Sequence, residues 1–392
     1  MIRKYWHKYK NIFNRKHRFL DIPNHFSSQE IAGAETYYNN VIVHRCVNLI
    51  ASSAGHVPWK VYRHKNNGLS EIYLHPVAKL PKKPNPDLAG ADFFTELISN
   101  LLLYGNCYIL ASHLPNSLPS AIYPLHPKYM QVVVSNNVPV AYRYLSVSGE
   151  KLYPIDPITR QSSVLHLKNY HPEMTQYGAS SLSAASKSIY LHLSTLEWNH
   201  ALLKNSSRPS GALIFKDDNS YLTEEQFERL QEQFYHNFSG SANSGKPLIL
   251  EGGLKWQETN IAERFEKFLE LKDSSARDIA IAFNVPPQLL GINGDNTYSN
   301  MQEARLALWE ENIIPLLDKF SDALSNWLSA LYNEELIIDF DRNAISALTQ
   351  KRENIWAKIA GANFMTTNEK RALVGLSPIT DGDSLDHINN KN

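Results

Sequence analysis

Residues Ser180–Asn205 read SSLSAASKSIYLHLSTLEWNHALLKN, a helical window with no proline or glycine inside it. Such a run continues until something stops it, and here the stop is Ser207-Arg208-Pro209-Ser210-Gly211. A compact β-α-β unit is predicted next. Ala212–Phe215 reads as a strand, and Thr223-x-x-Gln226 resembles a capping box before a helix over Glu224–Asn237. Lys246–Leu250 and Lys255–Thr259 read as strands around Gly252-Gly253. A second helix, Ala262–Phe283, follows. An insert of about fifty residues between two helices is compatible with a small module at the tip of a helical hairpin.

On the N-terminal side, a helix is predicted over Tyr38–Gly55, with Val43, Val47, Ile50 and Ala54 at helical spacing and Pro58 closing the segment. Trp59–Arg63 alternates as a short strand, and Asn66-Asn67-Gly68 marks a turn. A second amphipathic helix covers Ala91–Tyr104, with Gly105 where a C-cap glycine belongs. Short strands are predicted at Asn106–Ala111, Ala121–Tyr123, Met130–Val134, Val138–Tyr144 and Ser163–Leu167. The chain to about residue 180 therefore reads as α+β.

On the C-terminal side, Gly291–Asn300 (GINGDNTYSN) is a polar, glycine-containing loop. It introduces a long helical pattern: Leu306, Trp309, Ile313, Leu317, Phe320, Leu324, Trp327 and Leu331 step by three or four. Pro315 inside that run predicts a kink or a split. Leu336–Asp341 is strand-like, and helices are expected at Ser346–Ala360 and Asn368–Val374. Thr366-x-x-Glu369 opens the last as a capping box, Gly375 caps its C-terminus and Pro378 stops it.

Composition excludes several classes. The 392 residues carry 39 Lys+Arg against 39 Asp+Glu, with 43% hydrophobic and 20% charged residues. That is an ordinary globular composition, long enough for two or three domains. Zero formal net charge argues against non-specific attraction to polyphosphate over the whole surface. Cys46 and Cys107 make no disulfide framework. No apolar stretch is long enough to span a bilayer. Met1–Leu20 holds seven Lys/Arg and no acid, the pattern of a basic arm rather than an export signal.

No catalytic set is legible. Gly240-Ser-Ala-Asn-Ser-Gly245-Lys246 matches the start of a phosphate-binding loop. Yet Pro247 stands where a magnesium-binding Ser or Thr belongs, and the loop follows a helix and opens a strand, the reverse of the required order. The fifteen histidines are scattered, and no Cys/His group has zinc spacing. No catalytic, cofactor-binding or metal-binding residue is assigned, and no cofactor is expected. Between Arg208 and Glu258 there are eight acids and five bases, so the insert is acidic by three. Its helix carries Glu224, Glu225, Glu228 and Glu232, a solvated face or a docking surface for a basic partner. Loop 291–300 offers one charge, Asp295, and one aromatic, Tyr298, so it could only touch nucleic acid weakly.

The order of segments resembles the HK97-like portal proteins of tailed bacteriophages. The likeness runs from about Tyr38 to Asp383. It rests on Val57-Pro58, His75-Pro76 with Pro84-Asn85, Tyr104-Gly105-Asn106-Cys107-Tyr108, and Tyr177-Gly178-Ala179-Ser180-Ser181-Leu182. It continues through Asn205–Gly211, Phe283-Asn284-Val285-Pro286-Pro287-x-Leu289-Leu290-Gly291, Tyr298-Ser299-Asn300, and Thr367-Asn368-Glu369-x-Arg371 with Gly375-Leu376. Each motif is weak alone; their collinear order is specific.

The resemblance implies an α+β portal fold and this division: a basic arm (1–36), a wing (37–179), a first stem helix (180–207), an acidic clip (208–258) and a second stem helix (259–290). A tunnel loop (291–300), a long kinked helix with a returning wing strand (301–345) and a short crown (346–392) complete it. It implies a homo-oligomeric ring, usually a dodecamer, at one capsid vertex, through which double-stranded DNA is packaged and ejected. Asn293, Asp295, Asn296, Thr297, Tyr298 and Asn300 would face that DNA. Glu224, Glu225, Glu228 and Glu232 would face the large terminase subunit and the head–tail adaptor. The major capsid protein is a further expected partner. The expected location is the virion, with the host cytoplasm during assembly and no membrane. The alternatives are a nucleotide-dependent enzyme using Gly240–Lys246, and another ring-forming head–tail assembly protein.

Overall fold

The structure is a computed structural model. It describes residues 35–65, 68–112, 118–147, 149–204, 211–215, 223–238, 254–258, 262–292, 298–374, 376 and 378–385. The chain divides into two compact units, residues 185–281 and the remainder on either side of them.

The larger unit is built on two helices, α1 (Val41–Gly55) and α3 (Gly90–Tyr104). Asn40 starts α1: its side-chain oxygen accepts from the amides of Ile42 and Val43 at 3.0 and 3.2 Å. Val43, Cys46, Val47, Ile50 and Ala54 recur at three and four residues and are fully buried against α3. The helices approach so closely that a Cβ on Gly55 would lie 2.2 Å from Thr95 Oγ1. A short helix, α2 (Pro76–Lys79), lies between them in the chain.

Strand β1 (Trp59–Lys65) pairs antiparallel with β2 (Gly68–Glu71) on one side and with β11 (Ile337–Phe340) on the other. Trp59 stacks on Phe94 with ring centroids 4.5 Å apart, seating this sheet on α3. A second sheet has the order β4 (Ala121–Leu125), β3 (Asn106–Ser112), β8 (Val164–Lys168). A third is a meander of β5 (Met130–Ser135), β6 (Val138–Ser146) and β7 (Gly149–Pro154). Strand β7 is absent from the sequence expectations. It is a largely exposed edge, so it lacks the apolar alternation of a half-buried strand and owes its form to pairing with β6.

The long C-terminal helix is divided. Helix α7 (Tyr298–Leu308) leads into a π-helical turn (Trp309–Ile313), and α8 (Ile314–Tyr332) continues with Pro315 in its first turn. The expected split is present, but the buried face differs from the one read off the sequence. It runs Ala304, Leu308, Ile313, Leu317, with Leu306 and Trp309 only half-buried. The step of five between Leu308 and Ile313 is the residue that the π-turn inserts. Serines stitch α8 to β11: Ser321 Oγ donates to Ile338 O at 2.7 Å, and Ser325 Oγ accepts from Ile338 N at 2.8 Å.

Helices α9 (Thr349–Ala360) and α10 (Thr367–Leu373) end the described fold. The capping box between Thr366 and Glu369 is formed. Residues 346–348, expected as the start of α9, form a separate 3-10 turn. Gly375 lies outside the described residues.

The second unit takes most of α4 (Ser181–Lys204) and of α6 (Ala262–Ala282). Ser188 Oγ donates to Asp278 Oδ2 at 3.2 Å, and Trp198 stacks on Phe268 at 3.9 Å. As the chain advances on one helix it retreats on the other, so the pair is antiparallel. Strands β9 (Gly211–Phe215) and β10 (Leu254–Glu258) pair antiparallel, and α5 (Glu224–Phe238) lies between them in sequence. Its capping box is formed by Thr223 and Gln226. The strand expected at Lys246–Leu250 lies outside the described residues.

Candidate functional site

Buried amide side chains, rather than titratable ones, hold the two motifs that meet where α4 begins. Gly105 ends α3 in the left-handed region, φ +69°, where a Cβ would lie 2.5 Å from Gly178 O. Gly178 answers with its own closeness: a Cβ there would lie 2.2 Å from Gly105 O. Between them sits Asn106, 3% exposed. Its Nδ2 donates to Tyr104 O at 2.8 Å and Gly178 O at 3.3 Å. Its Oδ1 accepts from Gly178 N at 2.8 Å and is 3.0 Å from His166 Nε2. Ser180 Oγ donates to Leu103 O at 2.7 Å and accepts from Leu182 N at 3.0 Å, which fixes the first turn of α4.

The ionisable groups around this junction are held inert. Burial keeps His166 neutral, with its pKa pushed down to about 3, the charges of Lys168 and Lys319 adding to the effect. Lys319 donates to Lys168 O at 2.6 Å, and burial lowers its pKa. Cys107, next to Asn106, is pushed up to about 12 by burial, as is Cys46. Neither thiol is poised as a thiolate nucleophile. Among the described residues no three His, Cys, Asp or Glu come together so as to hold a metal ion.

A second amide pair sits at the π-turn. Asn284, in the left-handed region with φ +51°, donates from Nδ2 to Glu311 O at 3.1 Å. Asn312 Nδ2 returns the bond to Phe283 O and Asn284 O, both at 2.8 Å. A third is Asn368, whose amide donates to Ile379 O at 3.0 Å and Asp383 Oδ1 at 2.8 Å, while its oxygen accepts from Ile379 N at 2.8 Å. It pins the segment around Asp383 to the N-terminal turn of α10.

The sequence-predicted site residues divide between the units. Tyr298 and Asn300 lie in the first turn of α7, so the loop expected over 291–300 gives way to helix three residues early. Further along the same helix Ala304 and Leu308, four residues apart, are buried. Asn293, Asp295, Asn296 and Thr297 lie outside the described residues, as does Gly240–Lys246. In the other unit Glu224, Glu225, Glu228 and Glu232 are all exposed along α5. Glu224, Glu228 and Glu232 are spaced i, i+4, i+8 on one stripe. Like charges so placed weaken a helix by a few tenths of a kcal/mol per pair (roughly 0.2–0.5). Glu224, in the first turn, is favoured by the helix dipole, but Glu228 and Glu232 lie beyond that turn and are not explained by helix stability. The amide junctions escaped sequence reading: the Asn106–Gly178 partners are 72 residues apart, and no spacing rule links them.

The family model for "Phage portal protein" matches residues 41–375. An uncharacterised protein of Rickettsia bellii (strain RML369-C) is 59% identical over 389 residues, covering 98% of this chain and all of that one. The portal protein of Enterobacteria phage HK97 is 22% identical over 355 residues, 87% of this chain and 80% of that one. Among solved structures, the neck of an empty gene transfer agent particle, computed with C6 symmetry, is similar at a TM-score of 0.70 and 34% identity. It covers 90% of this chain and 94% of its own. The neck of the native particle, computed with C12 symmetry, is similar at 0.68 and 33% identity, covering 90% and 95%.

Proposed function

This chain belongs to the phage portal protein family, and from that premise we propose that it assembles as a ring, of twelve subunits, at one vertex of a capsid. Double-stranded DNA enters and leaves the particle through its axis. The observation that carries this reading is the likeness, over 90% of the chain, to a particle neck solved with twelvefold symmetry. Ring closure by head-to-tail contacts gives a role to apolar side chains exposed on the helical hairpin of the second unit. Tyr190, Leu269 and Leu271 are such residues.

In this reading 180–207 and 259–290 supply the stem and 208–258 the clip, and the acidic stripe of α5 docks the large terminase subunit during packaging and the head–tail adaptor afterwards. The segment from Gly291 into the first turn of α7 faces the DNA. Its Asn293, Asp295, Asn296, Thr297, Tyr298 and Asn300 add no fixed cationic contact to the phosphates, so sliding is not slowed. The remaining unit serves as wing and, at 346–392, as a short crown against the capsid interior. The basic arm, 1–36, precedes the wing. The portal performs no chemistry and needs no cofactor; packaging energy comes from its partner. Family membership favours this reading over a nucleotide-dependent enzyme. Identity of 34% to a gene transfer agent neck, against 22% to the HK97 portal, supports a particle of the former class. Assembly takes place in the host cytoplasm, without a membrane.

Native mass spectrometry with negative-stain imaging of the purified chain tests the proposal. A ring of about a dozen subunits with a central hole is expected. A chain that stays monomeric even with capsid and scaffolding partners present sinks it.

A further inference from the structure

We infer that Asn284 and Asn312 form a two-way amide clamp that sets the rotational register of helix α7. The starting point is a missing donor. Pro315 has no N–H, so the turn lacks one main-chain donor for the carbonyls of Glu310 and Glu311 that precede it by five and four residues. Asn284, from outside the helix, supplies one: its Nδ2 donates to Glu311 O. Asn312, inside the π-turn, reaches back to the carbonyls of Phe283 and Asn284. Each amide thus satisfies main chain on the other element.

The clamp holds a turn that contains one more residue than an α-helix. Ile314 N–H reaches back five residues to Trp309 O. That insertion rotates α7 by roughly 100° against the register a continuous α-helix would give it. The burial pattern depends on the rotation. Ala304 and Leu308 share the buried face with Ile313 and Leu317 only because Leu308 and Ile313 are five apart. Without the insertion the Ala304–Leu308 face would turn away from the core.

The surroundings are arranged to hold this state. Phe283 and Val285 flank Asn284 in sequence and are buried at 3% and 2%. Asn284 occupies left-handed backbone, which asparagine adopts more readily than most residues. On the far side Lys351 of α9 pairs with Glu310. Helix α7 itself packs on the 3-10 turn Pro287–Leu290 and on the turn Ser346–Leu348. The clamp is a positioning device, not a contact with DNA. Its consequence for DNA, through Tyr298 and Asn300, rests on the portal function proposed above; the clamp itself does not.

Hydrogen exchange on assembled rings of the full chain provides the test, with Pro315→Ala as the second arm. Asn284→Asp keeps shape and backbone preference but puts a carboxylate oxygen where the donor was, so Asn284→Gly is run beside it to separate loss of the donor from added charge. Amides of residues 298–313 are expected to exchange about three- to tenfold faster. Alanine at 315 restores one main-chain N–H to the turn. In that background the same Asn284→Asp change is expected to alter exchange by less than about twofold. An equal increase in both backgrounds, or none in either, overturns the clamp. If Asn284→Asp does not fold, Asn284→Gly removes the amide at a φ that glycine accepts and reads out the same cycle. DNA packaging is the separate functional arm. Rings of the Asn284→Asp variant are expected to assemble and to package less DNA. Normal packaging with faster exchange overturns the positional role alone. Failure of the unaltered chain to package or form rings overturns the portal reading instead.

Discussion

Replacing Asn106 by leucine should damage the larger unit more than any surface change. Leucine keeps the number of side-chain heavy atoms but is bulkier, so any overpacking adds to the hydrogen-bond loss worked out here. The substitution strands the Gly178 N–H and the His166 Nε2–H, now bound at 2.8 and 3.0 Å, and removes donors from two carbonyls. The site is 3% exposed, so water does not take over. Two stranded donors cost about 1–3 kcal/mol each, or about 4 kcal/mol together. Against a net stability of roughly 5–15 kcal/mol that is a large fraction. At roughly 2–4 °C per kcal/mol, the thermal midpoint should fall by about 8–16 °C. Thermal unfolding followed by tryptophan fluorescence reads this out. Gly178→Ala should break the same junction, since its Cβ would lie 2.2 Å from Gly105 O and 2.5 Å from Asn169 N, both main-chain atoms. The double variant should therefore lose less than the sum of the two. A midpoint for Asn106→Leu within about 2 °C of the parent would refute the reasoning.

Acid should act through His166. Its folded pKa lies near 3 against an ordinary 6.5, so its contribution is complete above 6.5 and is lost as pH falls from there toward 3. His166→Gln should flatten the stability profile in that window, measured by urea unfolding at stepped pH; an unchanged slope contradicts the assignment. Converting Glu224, Glu228 and Glu232 to glutamine should leave α5 intact or slightly more helical by circular dichroism. It should also weaken terminase binding in a calorimetric titration, with a shallower salt dependence; unaltered affinity would remove the docking role.

The elements that periodicity controls were legible in the sequence. Helices α1 and α8 bury most of the positions that their spacing predicts, α3 is present where expected but buried on nearly every side, and the capping boxes at Thr223 and Thr366 are both formed. Strand β11, expected as a short apolar run, closes the sheet beside β1. What pairing or long-range bonding decides was not legible. Strand β7 has no pattern of its own. Pro315 announced an interruption, but not that a π-turn would absorb it and shift the buried face from Leu306 and Trp309 to Ala304 and Leu308. Asn106, Asn284 and Asn368 stand inside the family-like motifs and Asn312 does not, but nothing in the sequence names what any of them bonds. Their roles are set by partners brought near only by folding, 72 residues away for Asn106 and 28 for the Asn312–Asn284 bond.

The partners of these asparagines are mostly main-chain atoms. A bond between two side chains ties two positions together, so that either change requires the other. A bond from a side chain to a carbonyl ties only one, because every residue type except proline offers the same backbone groups. Asn106 and Gly178, Asn284 and Asn312, and Asn368 can therefore preserve their junctions while their neighbours vary freely. Such a frame lets a chain drift far in sequence and still close the same turns.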